Sequence, residues 1–318
     1  MADKLSFMAV LNMSTDECLQ FLEAQRWPDG IACPDCGTLD PYRIERKKAS
    51  KNGVRFLWKC RGCKRQFTAT VGTIFEGSHI PLNKWFAAIW LMTASKKGIS
   101  AHQIHRQLDV TYKSAWFLMH RIRSAMKEGG SPFLAGVVEA DETYVGGKYH
   151  KSPRAVRMHS KPGRPDAQSN KTTVFGILER GGRVRTQVVP DAKRETLEPI
   201  LLAGLDPQRS HLMTDEWQAY NRIRQHVPHD VIRHVSEYVR GEVHTNGIEN
   251  YWSVLKRGLY GTYQHVDRGY LGQYLDEFSF RFNRRKVSDG ERFLSLVQES
   301  AAHPRVRWYF RDEPSPEA

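Results

Sequence analysis

Two pairs of cysteines near the start of the chain constrain its fold more than any other feature. Cys33 and Cys36 lie in "CPDCG", and Cys60 and Cys63 lie in "CRGC". Two such CxxC turns, separated by a short segment, supply four thiolates to one tetrahedral metal ion. A redox dithiol needs only one CxxC pair, and no thioredoxin-like βαβ pattern surrounds either of these. The spacing therefore predicts a structural zinc site.

The residues around the cysteines predict a small first domain, residues 1–78, that depends on this ion. A helix over "TDECLQFLEAQRW" precedes the first pair, and short strands such as "VRFLWKC" lie between the pairs. These strands are too few and too short to bury a core alone, so the metal supplies much of the folding free energy. The pattern is that of a zinc ribbon. Cys18, the fifth cysteine, is predicted to lie in a small core.

The charge balance favours a polyanionic partner. The 318 residues include 48 Lys and Arg against 35 Asp and Glu, a formal net charge of +13. Each phosphate that a basic side chain neutralises releases counterions, so nucleic acid is a natural partner. A merely basic soluble protein and a binder of acidic membranes share this composition. No apolar run approaches the roughly 20 residues that span a bilayer, and no signal peptide is recognisable, so we expect a cytoplasmic protein without a membrane partner.

A second segment, residues 79–130, predicts three helices. Pro81 opens the first and Gly98 ends it, Ser100 caps "SAHQIHRQLDV", and Thr111 caps "TYKSAWFLMHRIRSAM". The last two helices form a helix-turn-helix, whose second helix fits a major groove. An ordinary helical hairpin has the same pattern, but the preceding zinc ribbon and the net charge favour contact with DNA. Along this second helix lie Tyr112, Lys113 and Ser114 at the N-terminal end, then Arg121, Arg123 and Lys127.

Beyond "KEGGSP" the pattern changes to that of an α/β domain, residues 131–300. Three strands, predicted to be antiparallel neighbours, are followed by alternating helix and strand. The segment 148–171 between the first two strands is rich in Lys and Arg. It is either a solvated insertion or a basic flap that orders on a nucleic-acid backbone. Residues 301–318 are expected to form a C-terminal tail, and its last stretch, "RDEPSPEA", is expected to be disordered.

Three carboxylates in this domain predict a metal-dependent site. Asp141 lies within the first strand, Asp215 lies at the end of the strand "HLMTDEW", and Glu249 lies in the first turns of the helix "NGIENYWSVLKRG". Each has an ordinary explanation alone: a strand end, a turn or a helix cap. Together they match the oxygen ligands that Mg²⁺ prefers. Two such ions, about 3.5–4 Å apart, activate the attacking oxygen and stabilise the leaving oxygen of a phosphodiester.

The helix that carries Glu249 allows two interpretations of this residue. If Thr245 or Asn246 caps the helix, Glu249 falls where a capping box has its glutamate. Lys256 lies two turns further on the same face, where it is placed to grip a DNA phosphate. Trp252 either packs underneath or stacks on a base. A helix cap and a metal ligand both remain open for Glu249.

Several blocks of the chain, in a fixed order, resemble one family. They are "RWPDGIACPDCG", "KCRGCKRQFTATVGTIFEGSHIPLNKW", "VEADETYVGGK", "LMTDEW", "HTNGIENYWSVLKRGLYGTYQHV" and "YLDEFSFRFNRR". The chain resembles the zinc-ribbon-bearing DDE transposases of bacterial insertion sequences, relatives of the eukaryotic Merlin elements. The resemblance implies an RNase H-like catalytic core that uses two Mg²⁺ or Mn²⁺ ions to cleave transposon ends and join them to target DNA.

Carried over to this sequence, the resemblance assigns residues to roles. Asp141 and Asp215 are the first two acids, Glu249 is the third, and Lys256 is the associated basic residue. Members of the family differ at the third position, where some have asparagine. Asn246, one helical turn before Glu249, is therefore an alternative third residue, a helix cap or an outer-shell ligand.

The resemblance also implies partners and a location. These are the terminal inverted repeats of the element, double-stranded target DNA and further copies of the chain, in the bacterial cytoplasm near the nucleoid. Two other functions fit the same motifs. One is a DNA-binding regulator with an inactive core, and the other is a metal-dependent nuclease that hydrolyses DNA without joining it. The filled carboxylate positions argue against an inactive core.

Overall fold

The computed structural model describes residues 5–50, 53–128, 133–146, 171–220, 222–232 and 244–302. Its helices are α1 (Phe7–Leu11), α2 (Thr15–Arg26), α3 (Leu82–Ala94), α4 (Ala101–Leu108), α5 (Tyr112–Ala125), α6 (Arg194–Gly204), α7 (Asn246–Gly258), α8 (Leu271–Asn283) and α9 (Asp289–Ala302). Its strands are β1 (Tyr42–Glu45), β2 (Phe56–Lys59), β3 (Gln66–Phe67), β4 (Leu134–Val145), β5 (Thr172–Glu179), β6 (Val184–Val189), β7 (Leu205–Thr214) and β8 (His229–Val231).

These elements form two compact units. Of the described residues, the first contains those up to Ser95, Ala101–Met126 and those from Val287 onward. The second contains Lys96–Ser100 and the described residues of Lys127–Lys286. The zinc-ribbon and helix-turn-helix segments therefore belong to one unit, although the sequence pattern separates them into two domains.

Aromatic side chains from distant parts of the sequence form the core of the first unit. Phe21 of α2 lies against Phe86 of α3, with ring centroids 5.8 Å apart, and Phe293 of α9 lies 5.7 Å from Phe86. The sequence pattern assigned α9 to the domain that ends at residue 300. In the structure α9 belongs to the first unit instead, because Phe293, Leu296 and Val297 are buried in a helix that contacts α2 and α3. The helix also includes the first two residues of the predicted tail; the rest of 301–318 lies outside the described residues.

The ribbon sheet is small. Its strands are antiparallel in the order β1-β2-β3, and β2 pairs with β1 over four residues and with β3 over two. The described hydrophobic cluster beside it has only three fully buried members, Cys33, Cys60 and Phe67. A core of this size does not stabilise a fold without a further constraint.

The helix-turn-helix is confirmed as a pair of packed helices. The hydroxyl of Thr111 accepts a hydrogen bond from the N–H of Ser114, which caps α5 as predicted. Tyr112 and Lys113 at this end are exposed. Two basic residues further along do not face solvent: Arg121 donates to the carbonyl of Glu76 and lies over Trp85, and Arg123 is 1% exposed. Of the residues singled out on α5, the exposed ones are therefore at its N-terminus.

The second unit contains a five-stranded sheet in the order β6-β5-β4-β7-β8. β4, β5 and β6 are antiparallel neighbours, as the sequence predicts, and β7 and β8 run parallel to β4. Three antiparallel strands followed by two parallel ones, with helices on both faces, is the RNase H-like arrangement. The fold class expected from the sequence is therefore confirmed. The basic segment 148–171 lies outside the described residues except for Lys171.

Apolar clusters cover both faces of this sheet. On one face, α6 and the turn around Tyr220 pack on β4, β5 and β7. On the other face, α7 and α8 contribute Trp252, Leu255 and Phe278. Alternate residues of β4 therefore point to different helices, and the α7 face is where the candidate site forms. In the described part of the chain, no helix combines the length and apolar character that a membrane crossing requires.

Candidate functional site

The four cysteines of the CxxC pairs meet in space. Their sulfur atoms all lie within 4.8 Å of one another. Sγ of Cys33 is 3.6 Å from Sγ of Cys63, and Sγ of Cys36 is 3.5 Å from Sγ of Cys60. A tetrahedral zinc ion with Zn–S bonds of about 2.3 Å places its sulfur ligands roughly 3.8 Å apart. The donor set and its spacing therefore fit zinc.

Two turns aim these sulfur atoms inward. The N–H of Gly37 donates to the carbonyl of Cys33, and the N–H of Cys60 pairs with the carbonyl of Arg65. Gly37 has a φ of +73°, and Lys64 in the second turn has a φ of +63°. Glycine adopts this left-handed conformation without strain, which explains the glycine directly after the second cysteine.

The electrostatics of the cysteine cluster also favour a bound cation. The Thr38 hydroxyl hydrogen-bonds the sulfur of Cys36 and lowers the pKa of this thiol to about 6. The N–H of Arg65 favours the thiolate of Cys63, but desolvation and the neighbouring sulfur atoms outweigh it and raise the pKa of Cys63 to about 12. Four thiolates so close together therefore do not ionise fully without a bound positive charge.

Parallel pairing of β4 and β7 brings the two predicted aspartates together. Glu139 of β4 is in register with Met213 of β7. Asp141 of β4 and Asp215, the residue directly after β7, each lie two residues beyond this pair. Because side chains at matching positions of parallel strands share a face, both carboxylates point to the same side. Asp215 is half-buried directly after β7, and its Oδ1 accepts a hydrogen bond from the N–H of Trp217 at 3.1 Å.

Asp141 is the electrostatic centre of the site. Burial is the main reason that its pKa is raised to about 6, and the negative charges of Asp215 and Glu249 raise it further. The N–H of Glu142 and the indole of Trp252 oppose this effect by donating hydrogen bonds to the carboxylate. Strand residues and helix residues therefore converge on one region of negative charge.

The contact between Trp252 and Asp141 depends on a glycine. Nε1 of Trp252 donates to Oδ2 of Asp141 at 2.9 Å, and the indole is buried, so the residue packs underneath. Gly176 of β5 is paired with Asp141. A Cβ atom at Gly176 would lie 2.6 Å from the Trp252 ring. The glycine thus makes room for the ring that orients the carboxylate.

The first turn of α7 shows that Glu249 is not part of a capping box. Thr245, not Asn246, occupies the cap position, and its side chain makes no hydrogen bond to the backbone of the first turn. Glu249 is one residue too late for a capping box; it accepts a hydrogen bond from the Thr245 hydroxyl at 2.9 Å. The carboxylate that does receive a backbone N–H of this turn belongs to Glu139, which accepts from Ile248 at 2.9 Å.

Glu142 points to the opposite face of β4. There the Tyr220 hydroxyl donates a short hydrogen bond to its carboxylate. Burial raises the pKa of Glu142 to about 7, and the charges of Asp141 and Asp215 contribute. Glu216, the other acid beside a predicted ligand, is exposed.

The structure thus brings Asp141, Asp215 and Glu249 into electrostatic contact, with Lys256 half-buried two turns along α7 and Asn246 exposed at its start. Among the described residues, only the four cysteines form a group of three or more ligand atoms within 4.8 Å of one another. The oxygen atoms of the three carboxylates are therefore not all within 4.8 Å of one another, the spacing found among the cysteine sulfur atoms. Sequence reasoning did not identify Glu139 as the residue that holds α7, because no local pattern pairs it with Ile248.

Two family models match parts of this chain. Residues 133–283 match the model of the ISXO2-like transposase domain, and residues 13–66 match that of the transposase zinc-ribbon domain. The first match includes all three carboxylates, and the second includes all four zinc-site cysteines.

A curated relative extends the similarity along most of the chain. An uncharacterized protein in transposable element ISH50 of Halobacterium salinarum is 30% identical over 289 residues, which cover 87% of this chain and 93% of the relative. Two solved structures are weakly similar, each at 13% identity. The simian T-cell lymphotropic virus intasome with PP2A regulatory subunit B56 gamma has a TM-score of 0.28, with 55% of this chain and 67% of that chain covered. The pre-cleavage Mos1 transpososome has a TM-score of 0.22, with coverage of 71% and 80%. Scores this low carry no argument about the fold, which rests on the strand order.

Proposed function

Because this chain belongs to the family of ISXO2-like insertion-sequence transposases, we propose that it binds the terminal inverted repeats of its element and catalyses metal-dependent DNA strand cleavage and strand transfer. One observation carries the proposal. Asp141 on β4 and Asp215 directly after β7 each lie two residues beyond the pair Glu139–Met213, and Glu249 on α7 is close enough to raise the pKa of Asp141. Three carboxylates from separate elements in one region of negative charge match the chemistry of a Mg²⁺ or Mn²⁺ site.

In this proposal each residue has a distinct task. Asp141, Asp215 and Glu249 would hold two Mg²⁺ or Mn²⁺ ions, and these ions would supply the charge that activates the attacking oxygen and stabilises the leaving oxygen. Trp252 fixes the orientation of the Asp141 carboxylate, and Lys256 binds a phosphate next to the one that reacts. Asn246 is either an outer-shell residue or, in place of Glu249, the third member of the catalytic set. The joining reaction would use the same groups: a DNA 3′-hydroxyl would attack a target phosphodiester, the bond from that phosphorus to the target 3′-oxygen would break, and the target 3′-hydroxyl would leave.

Glu249→Gln tests the assignment of the third residue. The amide keeps an oxygen for the Thr245 hydroxyl, so the fold is expected to survive. The neutral side chain is a poor Mg²⁺ ligand, and changes in mere outer-shell partners already cost about 10–100-fold. We expect cleavage of terminal-repeat DNA with Mg²⁺ or Mn²⁺ to fall more than about 100-fold, with an unchanged circular dichroism melt and unchanged DNA binding.

Glu216→Gln is the matched control, since this exposed acid neighbours Asp215 but lies outside the proposed ligand set. It is expected to cleave at the wild-type rate. If Glu249→Gln also cleaves at that rate, Glu249 is no ligand, and Asn246 becomes the next residue to test. If the unaltered protein binds terminal-repeat DNA but never cleaves it, the chain is an inactive DNA-binding relative and the proposed reaction is wrong.

We further propose that the zinc ribbon and the N-terminus of α5 read the DNA. Lys113 is exposed at this end, beside Tyr112, whose ring lies 4.4 Å from that of His102. A lysine that contacts a phosphate contributes affinity that falls with salt. We expect Lys113→Ala to weaken binding of terminal-repeat DNA and of unrelated DNA alike, and to lower the salt dependence of binding by about one counterion.

Fluorescence anisotropy across a salt series measures this effect. Arg209→Ala removes the same charge from an exposed ion pair with Asp206 in the other unit, and should leave the salt dependence unchanged. Equal effects of the two changes would mean that only net charge matters, and that α5 does not contact DNA.

A further inference from the structure

Glu139 is a fully buried carboxylate on β4, two residues before Asp141. Residues two apart on a strand share a face, so Glu139 points to the same side as Asp141, toward α7. An ionised side chain in such a place is costly unless it is paired and hydrogen-bonded. The hydrogen-bond partners of Glu139 therefore show which elements its carboxylate connects.

The two oxygens of Glu139 bind different parts of the second unit. Oε1 accepts from Nε of Arg180 at 2.7 Å, and Oε2 accepts from the backbone N–H of Ile248 at 2.9 Å. Arg180 also donates to the carbonyl oxygen of His244 at 2.8 Å and to its Nδ1 at 3.0 Å. The carboxylate of β4 thus joins the residue after β5 to the first turn of α7, and Arg180 extends the connection to His244, two residues before α7.

The first turn of α7 is shaped to receive this carboxylate. Its cap residue, Thr245, offers no side-chain hydrogen bond to the turn, so the contact from Glu139 takes that place. Gly247 lies directly beside it: a Cβ at this position would be 2.7 Å from Oε2 of Glu139. A larger residue therefore forces the helix and the carboxylate apart.

We propose that Glu139 is a positioning residue, whose buried carboxylate sets where α7, and with it Glu249, lies relative to Asp141. This inference rests on the proposed function, because it concerns the geometry of the proposed ligands. Glu139 and Asp141 belong to the same stretch of β4, and Glu249 follows Ile248 directly. A shift of the first turn of α7 therefore moves one ligand and leaves the other in place. Buried ion pairs add little stability compared with apolar packing, so the contact acts mainly through geometry.

Gly247→Ala and Gly272→Ala form a matched pair of test variants. Each glycine is the second residue of its helix, α7 and α8, but a Cβ at Gly272 meets nothing within 4 Å. Alanine is otherwise preferred to glycine in a helix, so intrinsic propensity predicts no loss for either variant. We expect Gly247→Ala to lower strand cleavage at least about 10-fold, as changes around metal ligands do. We expect Gly272→Ala to cleave at the wild-type rate.

Amide hydrogen exchange separates positioning from general instability. In Gly247→Ala, faster exchange should be confined to the start of α7, with the amides of β4 and α8 unchanged. Glu139→Gln has only one accepting oxygen and no charge, so it cannot accept from both Arg180 and Ile248. The same amides should therefore exchange faster, with the same order of loss in cleavage. Loss of protection across the whole unit in both variants would show a merely structural role and overturn the inference. So would wild-type cleavage and exchange in both.

The results also distinguish this inference from the proposed function. If Glu249→Gln keeps full cleavage while Gly247→Ala loosens α7 without affecting cleavage, the assignment of Glu249 is wrong, and positioning of a ligand is wrong with it. If Glu249→Gln abolishes cleavage while Gly247→Ala and Glu139→Gln leave both cleavage and exchange unchanged, the proposed function stands and only the role of Glu139 is wrong.

Discussion

Replacing Asp141 with Asn is expected to reduce strand cleavage more than about 1,000-fold while the protein remains folded. Asn is the same size and its amide oxygen can still accept one of the two hydrogen bonds that Trp252 and the N–H of Glu142 donate to Asp141. It cannot supply the negative charge that holds a divalent cation. The loss should exceed the roughly 10–100-fold cost of altering an outer-shell partner, because Asp141 is proposed to bind the metal directly. Single-turnover cleavage of terminal-repeat DNA measures it.

The same substitution should stabilise the metal-free protein at neutral pH. The folded-state pKa of Asp141 is raised to about 6 from 3.8, mainly by burial. The folded protein therefore holds this proton more tightly than the unfolded chain, and the associated stability is lost as the pH rises through 6. Asn never ionises, so the variant should be more stable above about pH 6, by an amount on the order of 1–3 kcal/mol. Near pH 4 the difference should vanish.

Thermal melts at about pH 4 and about pH 8, with and without Mg²⁺, check this prediction. Mg²⁺ should stabilise the wild-type protein more than the variant, because the cation offsets the charges that raise the pKa of Asp141. Asp29→Asn, at an exposed position, is the control and should show neither effect. If Asp141→Asn cleaves normally, or is no more stable at pH 8, Asp141 is not the charged centre of the site.

Replacing Cys60 with Ser is expected to remove the bound zinc and unfold the ribbon around β1, β2 and β3. Cys60 is fully buried, and the apolar cluster beside it is small. Zinc contributes about 10–16 kcal/mol to the folding of small zinc domains, far more than such a cluster provides. The affinity for DNA should decrease, because the ribbon is proposed to contact DNA. Zinc content by mass spectrometry of the metal, and hydrogen exchange of the ribbon amides, are the measurements.

Cys18→Ala is the matched control for the zinc experiment. This cysteine is buried in α2, away from the cluster, and burial raises its pKa to about 12, so it is a neutral thiol. The variant should keep one zinc ion per chain and lose only the packing of one sulfur atom. If Cys60→Ser retains its zinc, or if the ribbon amides stay protected after zinc is removed, the metal does not stabilise this domain.

Local patterns were sufficient for much of the fold. The spacing of the four cysteines predicts a ribbon because a CxxC turn is a short-range structure that presents two sulfur atoms to one side. Thr111 is recognisable as a cap for the same reason, since its hydroxyl bonds to an N–H three residues away. The strands of the second unit follow from their alternation and from the loops between them. The family resemblance then named Asp141, Asp215 and Glu249 as one set.

Contacts between distant residues were beyond local patterns. Arg121 and Arg123 appear on sequence to be part of a basic helix face, but one binds the carbonyl of Glu76 and the other is buried. The sequence of α9 predicts an amphipathic helix, but such a pattern does not say which elements cover its apolar face. The contacts with α2 and α3 are seen only in the structure. Capping signals placed Glu249 in a capping box, yet the helix begins one residue earlier than that requires.

The sequence by itself determined that this chain has a four-cysteine metal site, a helix-turn-helix and an α/β core with three acids in the order of its family. Only the tertiary structure decided that Glu139 receives the first turn of α7, that Trp252 orients Asp141, and that Gly176 and Gly247 leave the space for both contacts. The physical reason is distance along the chain. Caps and CxxC turns form among neighbours, whereas the partners of Glu139 and Asp141 meet only when β4 and α7 pack together.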